Sequence, residues 1–293
     1  MTHRDTSPLA RLQEILHLPP LPGVACRLLK ELADDEADID RLAALIEQDP
    51  GLAARIVGIA NSAYFARSRE VTSVRQAIVR VLGLNMVRGL AIGIALSRPF
   101  DASACPDFDV EGYWYQAFQT ATLAAALAPH SPLDEAERDC LFLAGLLHNL
   151  GRLVLVHAFP GRMGDILRQW QREPDRPLAE LESEALAVNE TEAGRVIATL
   201  WNLPGCVGSV IEFCGQPRLA PTHAALVQLV ALCRDLCAAL HADPEHEPAG
   251  LPDSGPVAGG VPVDRLREAF EARRAADADI RALAALLTRN GDC

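Results

Sequence analysis

Aromatic residues are scarce, 5% of the 293 residues, while Ala and Leu recur throughout. Ala and Leu lose little entropy in a helix, so a helix-rich fold is favoured before any motif is read. Positive charge is also short: 27 Lys and Arg against 39 Asp and Glu leave a formal net charge of −12. Such a chain repels phosphate backbones and anionic headgroups, which argues against nucleic-acid or membrane binding. No apolar run approaches the roughly 20 residues that span a bilayer. The segment from Met1 to Pro8 is polar with charges of both signs, unlike a signal peptide. None of the eight cysteines forms a Cys-x-x-Cys pair. Free thiols in a reducing cytoplasm are therefore expected. There is no phosphate-binding loop, no Gly-x-Ser-x-Gly, no convincing strand and no internal repeat.

What is present is helix punctuation. Leu9, Leu12, Ile15 and Leu16 recur at helical spacing, and Pro19-Pro20 stops that helix. Val24 to Leu32 and Ile39 to Glu47 follow. Asp49-Pro50 is an N-cap with proline at the first helical position, and Asn61-Ser62 marks the stop. Ser73 and Gln76 have capping-box spacing and open Val74 to Leu82. Gly83 ends that helix, and Asn85 is expected to cap another running to Leu96. Long helices are predicted over Val110 to Leu127 and Asp134 to Asn149, with a short apolar segment from Leu153 to Phe159. Asn189 and Glu192 repeat the capping-box spacing ahead of Thr191 to Trp201. Pro204 starts the next helix, and Pro221 to Leu240 forms a long buried one.

Residues 242–262 hold five prolines and Gly259-Gly260 and read as a mobile linker. Helical periodicity returns from Asp264 to Thr288. The domain division is an N-terminal lobe over 1–100, a second lobe over 101–241, the linker, and a C-terminal helical segment over 263–293. Arg67, Arg69, Arg75, Arg80 and Arg88 are candidates for a basic patch but are expected on solvated helix faces. Cys233 and Cys237, four apart on an apolar helix, are expected as buried small hydrophobes.

Several motifs occur in a fixed order. Leu18-Pro19-Pro20-Leu21-Pro22 comes first, followed by Asp49-Pro50-Gly51-Leu52 and Asn61-Ser62-Ala63-Tyr64-Phe65. Val71-Thr72-Ser73-Val74, Tyr113-Trp114, Ala144-Gly145-Leu146-Leu147-His148-Asn149-Leu150-Gly151 and Leu200-Trp201-Asn202-Leu203-Pro204 complete the set. Over roughly residues 15–240 it resembles the HDOD family, relatives of the HD-domain phosphohydrolases. The resemblance implies an all-α, two-lobed helical bundle whose second lobe is HD-like, and a place in bacterial signalling without an established general reaction. HD enzymes hold divalent metals on histidines and aspartates and activate water against a phosphoester.

Carried onto this sequence, the metal positions are poorly furnished. The first ligand position holds Gln116. The His-Asp pair reads His148-Asn149. The next histidine position holds Glu190, and the positions after the Trp-x-Leu-Pro helix hold Cys214 and Gly215. No His or Asp stands at the neighbours Tyr115, Ala117, Asn189, Phe213 or Gln216. Catalytic metal sites need about three protein ligands. The expectation is therefore no catalytic residue, no metal and no cofactor.

His148 is expected to hydrogen-bond inside the core, Asn149 to cap a helix end in the left-handed conformation, and Gln116 to pack against both. Trp114 and Trp201 are expected in the core, and His130, His157 and His223 as isolated polar residues. The leading reading is a non-catalytic adaptor that contacts a sensor kinase, a response regulator or a cyclic-dinucleotide enzyme. Its rivals are a phosphohydrolase rebuilt on His148, Glu190 and Cys214, and a nucleotide or small-molecule sensor using the former metal cleft.

Overall fold

The computed structural model describes residues 18–32, 38–65, 70–242, 251 and 254–288, and the regular structure there is helical apart from one isolated bridge between Pro256 and Pro262. The helix expected through Leu9, Leu12, Ile15 and Leu16 lies outside these residues, as do Arg67, Arg69 and Cys293.

The first lobe comprises α1 (Gly23–Leu32), α2 (Ile39–Glu47), α3 (Pro50–Ala60), α4 (Val74–Ala77, continued by a π-helical turn Ile78–Leu82) and α5 (Leu84–Ser97). Asp49 caps α3 by accepting from the Leu52 amide at 3.0 Å, and Arg98 pairs with the same carboxylate and holds its pKa down. Pro50 fills the first turn, where no amide is needed. Beyond α3, Asn61 donates to the Val71 carbonyl (2.8 Å) and accepts from the Val71 amide (2.9 Å), while Ser62 donates to the Ile59 carbonyl (2.7 Å). Two side chains thus hold the turn that stops the helix. Ser73 accepts from the Gln76 amide as expected, but the Gln76 side chain accepts from Thr72. The cap of α5 is Gly83, at φ 80°, a conformation that favours glycine. Asn85 instead donates to Asp139 on the second lobe at 2.8 Å.

The second lobe is built around α6 (Val110–Leu127), which is buried on nearly every side. It continues with α7 (Glu135–Leu147), α8 (Leu150–Ala158), α9 (Pro160–Arg172), α10 (Leu178–Leu186), α11 (Glu190–Leu200), α12 (Gly205–Phe213) and α13 (Ala224–Ala242). The short apolar segment from Leu153 is part of the full helix α8. The capping boxes Asp134/Glu137 and Asn189/Glu192 start α7 and α11. The lobes join where α5 packs on both α1 and α7. Trp201 reinforces the joint by donating to the Pro19 carbonyl at 3.2 Å and by packing its ring 5.4 Å from that of Phe100.

The described part of the Pro/Gly-rich stretch is not free. Gly259 packs against Leu229, where a Cβ would lie 2.8 Å from the Leu229 Cβ, and Val261 is fully buried. Helices α14 (Val263–Ala275) and α15 (Asp277–Thr288) then return against α6, and α15 also touches α3. Arg273 is buried there and donates through Nη2 to Gln119 Oε1 (2.5 Å), Tyr115 Oη (3.1 Å) and Asp277 Oδ1 (3.0 Å). Tyr115 also donates to Asp277.

Three expectations need correction. Cys140 and Cys206 form a disulfide between α7 and α12, whereas Cys26, Cys105, Cys214, Cys233 and Cys237 are free. Arg88 is no surface residue, since α5 is buried on every face from Val87 to Leu96; Arg75 and Arg80 are exposed as expected. Two stretches, Glu135–Ala158 and Ala224–Ala242, do have the length and mean hydropathy of a membrane span, but 83% and 50% of their windows are buried inside the bundle.

Candidate functional site

Gln116, His148, Asn149, Glu190, Cys214 and Gly215 converge on one cavity of about 230 Å3. Two close backbone crossings bring them there. At Gly145, α7 meets α6 so closely that a Cβ would lie 2.8 Å from the Ala121 Cα, and His148 follows three residues later. At Gly151, α8 meets α11, and a Cβ would lie 1.7 Å from the Glu190 carbonyl oxygen. No other residue fits at that spot, and the contact sets Arg152 beside the Glu190 side chain.

His148 Nδ1 lies 2.8 Å from the Gly145 carbonyl. A carbonyl only accepts, so Nδ1 carries the proton and Nε2 keeps its lone pair. Burial, aided by the neighbouring Arg234 and Arg152 cations, lowers the His148 pKa to about 4, so the ring is neutral near pH 7. The expected internal hydrogen bond is thus present. Asn149 departs from expectation: its backbone is at φ −111°, not left-handed, and its buried Oδ1 has no hydrogen-bond partner. Gln116 lines the cavity, and its backbone carbonyl accepts from Thr120 Oγ1.

The centre of the cavity wall is an ion pair. Arg152 donates from Nε to Glu190 Oε2 at 2.7 Å and from Nη2 to Oε1 at 3.2 Å. The two side chains retain only 19% and 24% of their exposure. Burial pushes the Glu190 pKa up, but Arg152 overrides it and holds the carboxylate below its ordinary value. The Glu190 amide donates to Glu182 Oε2 at 2.7 Å. Glu182 is fully buried, and burial followed by the nearby Glu190 charge raises its pKa; its Oε1 has no partner. On the far wall Arg234 reaches Cys214 Sγ through Nη1 (3.5 Å) and Asp235 Oδ1 through Nε and Nη2 (2.9 and 2.7 Å). Burial pushes the Cys214 thiol up to about 11, so it is protonated.

This donor set does not suit a divalent metal. His148 Nε2 is one neutral ligand. Both Glu190 oxygens are taken by Arg152, and Cys214 is a thiol rather than a thiolate. Two guanidinium groups add fixed positive charge, whereas a hard cation needs anionic oxygens. Among the described residues no group of three or more His, Cys, Asp or Glu side chains is placed to hold a metal ion.

The remaining motif residues serve elsewhere. Asp49, Pro50, Asn61 and Ser62 shape the ends of α3, and Trp114 is buried beside Tyr113. Trp201 and Pro204 line a second, larger groove between the lobes. His157 accepts from the Asp101 amide and His223 contacts Glu137. Cys233 and Cys237 are buried. Sequence reasoning passed over Arg152, Arg234 and Glu182. The available signal was Gly151: a glycine next to an arginine inside an apolar helix marks a close backbone approach that aims the following side chain.

The fold has clear relatives. A signal transduction protein from Marinobacter aquaeolei VT8 superposes with a TM-score of 0.78 at 30% identity, over 95% of this chain and 61% of that one. An HDOD domain protein of unknown function from Geobacter sulfurreducens superposes with a TM-score of 0.76 at 22% identity, over 96% and 98% of the two chains, a likeness of fold. A protein from Treponema pallidum (strain Nichols), described as uncharacterized, is 28% identical over 215 residues, 73% of this chain and 41% of its own length. The chain thus spans less than two thirds of both the Marinobacter and the Treponema proteins. Residues 18–217 match the model of the HDOD domain, and the chain belongs to that family.

Proposed function

We propose that this chain is a non-catalytic signal-transduction module that acts in the cytoplasm through protein–protein contacts, with a sensor kinase, a response regulator or a cyclic-dinucleotide enzyme as the partner class. The observation that carries the non-catalytic reading is the Arg152–Glu190 fork. The one acidic side chain of the six compared positions is spent on an internal cation. The signalling reading draws on family membership and on the Marinobacter relative described as a signal transduction protein.

The rebuilt phosphohydrolase on His148, Glu190 and Cys214 finds no support in this donor set. A nucleotide sensor in the same cleft finds little, because about 230 Å3 lies below the roughly 300–1,000 Å3 of small-molecule pockets. The test is hydrolysis of bis(p-nitrophenyl) phosphate with Mn, Fe, Mg or Zn supplied in turn. The expected rate equals that of the His148→Ala variant, and metal-dependent turnover abolished by that substitution would overturn the reading. The adaptor half is tested by cross-linking to each partner class in turn. Partner capture unaffected both by deleting residues 242–293 and by substituting exposed first-lobe residues would contradict it.

A further inference from the structure

Arg88 is the one charged residue in the buried run Val87–Leu96 of α5, and it is only 4% exposed. Its guanidinium makes no hydrogen bond or ion pair among the described residues, and its Nε is sealed from solvent without a partner. Neither of the two carboxylates that influence it is within ion-pair distance of it. Asp139 Oδ1 accepts from Asn85 at 2.8 Å, and Glu31 pairs with Arg41 at 2.8 Å. A guanidinium with a sealed Nε and no ion-pair partner is unfavourable, and it is relieved when an anion forks onto it.

Arg88 lines a groove of about 1130 Å3 between the lobes. Leu29 and Leu32 wall it from the first lobe, Leu200 and Leu203 from the second. Leu200 is 44% exposed, one of three large apolar side chains so exposed among the described residues. The groove thus offers a charged anchor together with apolar walls. Its volume lies slightly above the roughly 300–1,000 Å3 of small-molecule sites. Lys30 adds a cation at the rim, but Glu135 and Asp139 line the same groove and disfavour a dianion.

We propose that this inter-lobe groove is an effector site for an amphipathic monocarboxylate, whose carboxylate forks onto Arg88 and whose apolar body lies on Leu29, Leu32, Leu200 and Leu203. The site exists only when both lobes contribute, so its occupant bridges them and biases their packing. It sits on α7, the helix that runs on to His148. It does not rest on the non-catalytic reading, since no residue of the Arg152 cavity takes part.

The test uses the full chain and octanoate, with octanamide and octyl phosphate as comparison ligands, in isothermal titration and thermal unfolding. Octanoate should bind saturably and raise Tm. Arg88→Gln should weaken octanoate about tenfold or more, as removal of a charged hydrogen-bond partner does, and leave octanamide unchanged. Octyl phosphate should bind more weakly than octanoate. Lys30 is the single lysine of the chain, so octanoate should slow its acylation, read by mass spectrometry. Unliganded Arg88→Met should melt no lower than the parent, because it removes a charge that has no partner. Non-saturating octanoate uptake, equal affinity in parent and Arg88→Gln, or a large loss of unliganded stability in Arg88→Met would overturn the proposal. Tighter binding of octyl phosphate than of octanoate would overturn its assignment to a monocarboxylate.

Discussion

Arg152 and Glu190 meet as a planar fork, Nε to Oε2 at 2.7 Å and Nη2 to Oε1 at 3.2 Å, in the wall of a cavity that His148 also lines. Bidentate geometry makes this among the stronger kinds of ion pair. The pair is short of solvent, and its carboxylate has a second acid, Glu182, hydrogen-bonded to its own backbone amide. The guanidinium therefore neutralises a site that would otherwise gather negative charge.

Removing one partner should cost far more than removing both. Arg152→Ala leaves Glu190 buried and unpaired, and a loss of about 3 kcal/mol in urea unfolding is expected. The double variant Arg152→Met, Glu190→Leu should recover at least half of that loss. Equal losses in the single and double variants would show that the pair is not coupled.

The pH dependence of stability has two separable limbs. The folded pKa of His148, about 4, lies below its ordinary 6.5. Its contribution is therefore complete above about pH 6.5 and lost as pH falls towards 4. Glu190, Asp49 and Asp277 are also lowered and lose stability in the same direction, below the ordinary carboxylate range. Glu182 is raised, so its contribution is complete below its ordinary 4.5 and is lost as pH rises through the folded value. Urea midpoints followed from pH 4 to 9 should show a shallower acid limb in His148→Gln and a shallower alkaline limb in Glu182→Gln. Curves parallel to the parent's would refute both assignments.

Gly151 sets the spacing on which the fork depends. Gly151→Ala puts a methyl group into the Glu190 carbonyl, forcing α8 from α11, at a cost of about 1–3 kcal/mol or more. Arg152→Ala should then add less in the Gly151→Ala background than in the parent. Full additivity in a double-mutant cycle would mean that the crossing does not position the pair.

The C-terminal helices are tied to α6 through Arg273, Tyr115 and Asp277. Tyr115→Phe removes hydrogen bonds only and should cost about 1 kcal/mol. Arg273→Ala also strands Gln119 Oε1 and should cost more. Hydrogen exchange should accelerate across Val263–Ala275 and Asp277–Thr288 in Arg273→Ala, while Gly23–Leu32 stays protected.

The local parts of the fold were legible because their causes are local. Asp49-Pro50 and Asn189 with Glu192 name helix starts through side chains that bond amides three residues away. Helix ends shifted by a residue, as α11 did, since terminal turns are set by tertiary contact. Asn85 looked like a cap but bonds Asp139, 54 residues on, and Gly83 does the capping. The six compared positions do surround one cavity, yet what fills it was not readable. Arg152, Arg234 and Arg88 sit on helices among apolar residues, where one-dimensional pattern treats an arginine as solvent-facing. Only the packing of α8 on α11, of α13 on α12, and of α5 between the lobes draws them inward. The Cys140–Cys206 bridge joins residues 66 apart, a pairing that spacing does not reveal.

The central proposal, that the His148 cavity serves no metal-dependent catalysis, is tested most directly by metal content per chain. Untagged protein from cultures supplied with Mn, Fe, Zn, Mg and Ni should carry less than about a tenth of an equivalent of each by plasma mass spectrometry. Close to one equivalent of any metal, lost on His148→Ala, would contradict the account and make the cavity a metal centre.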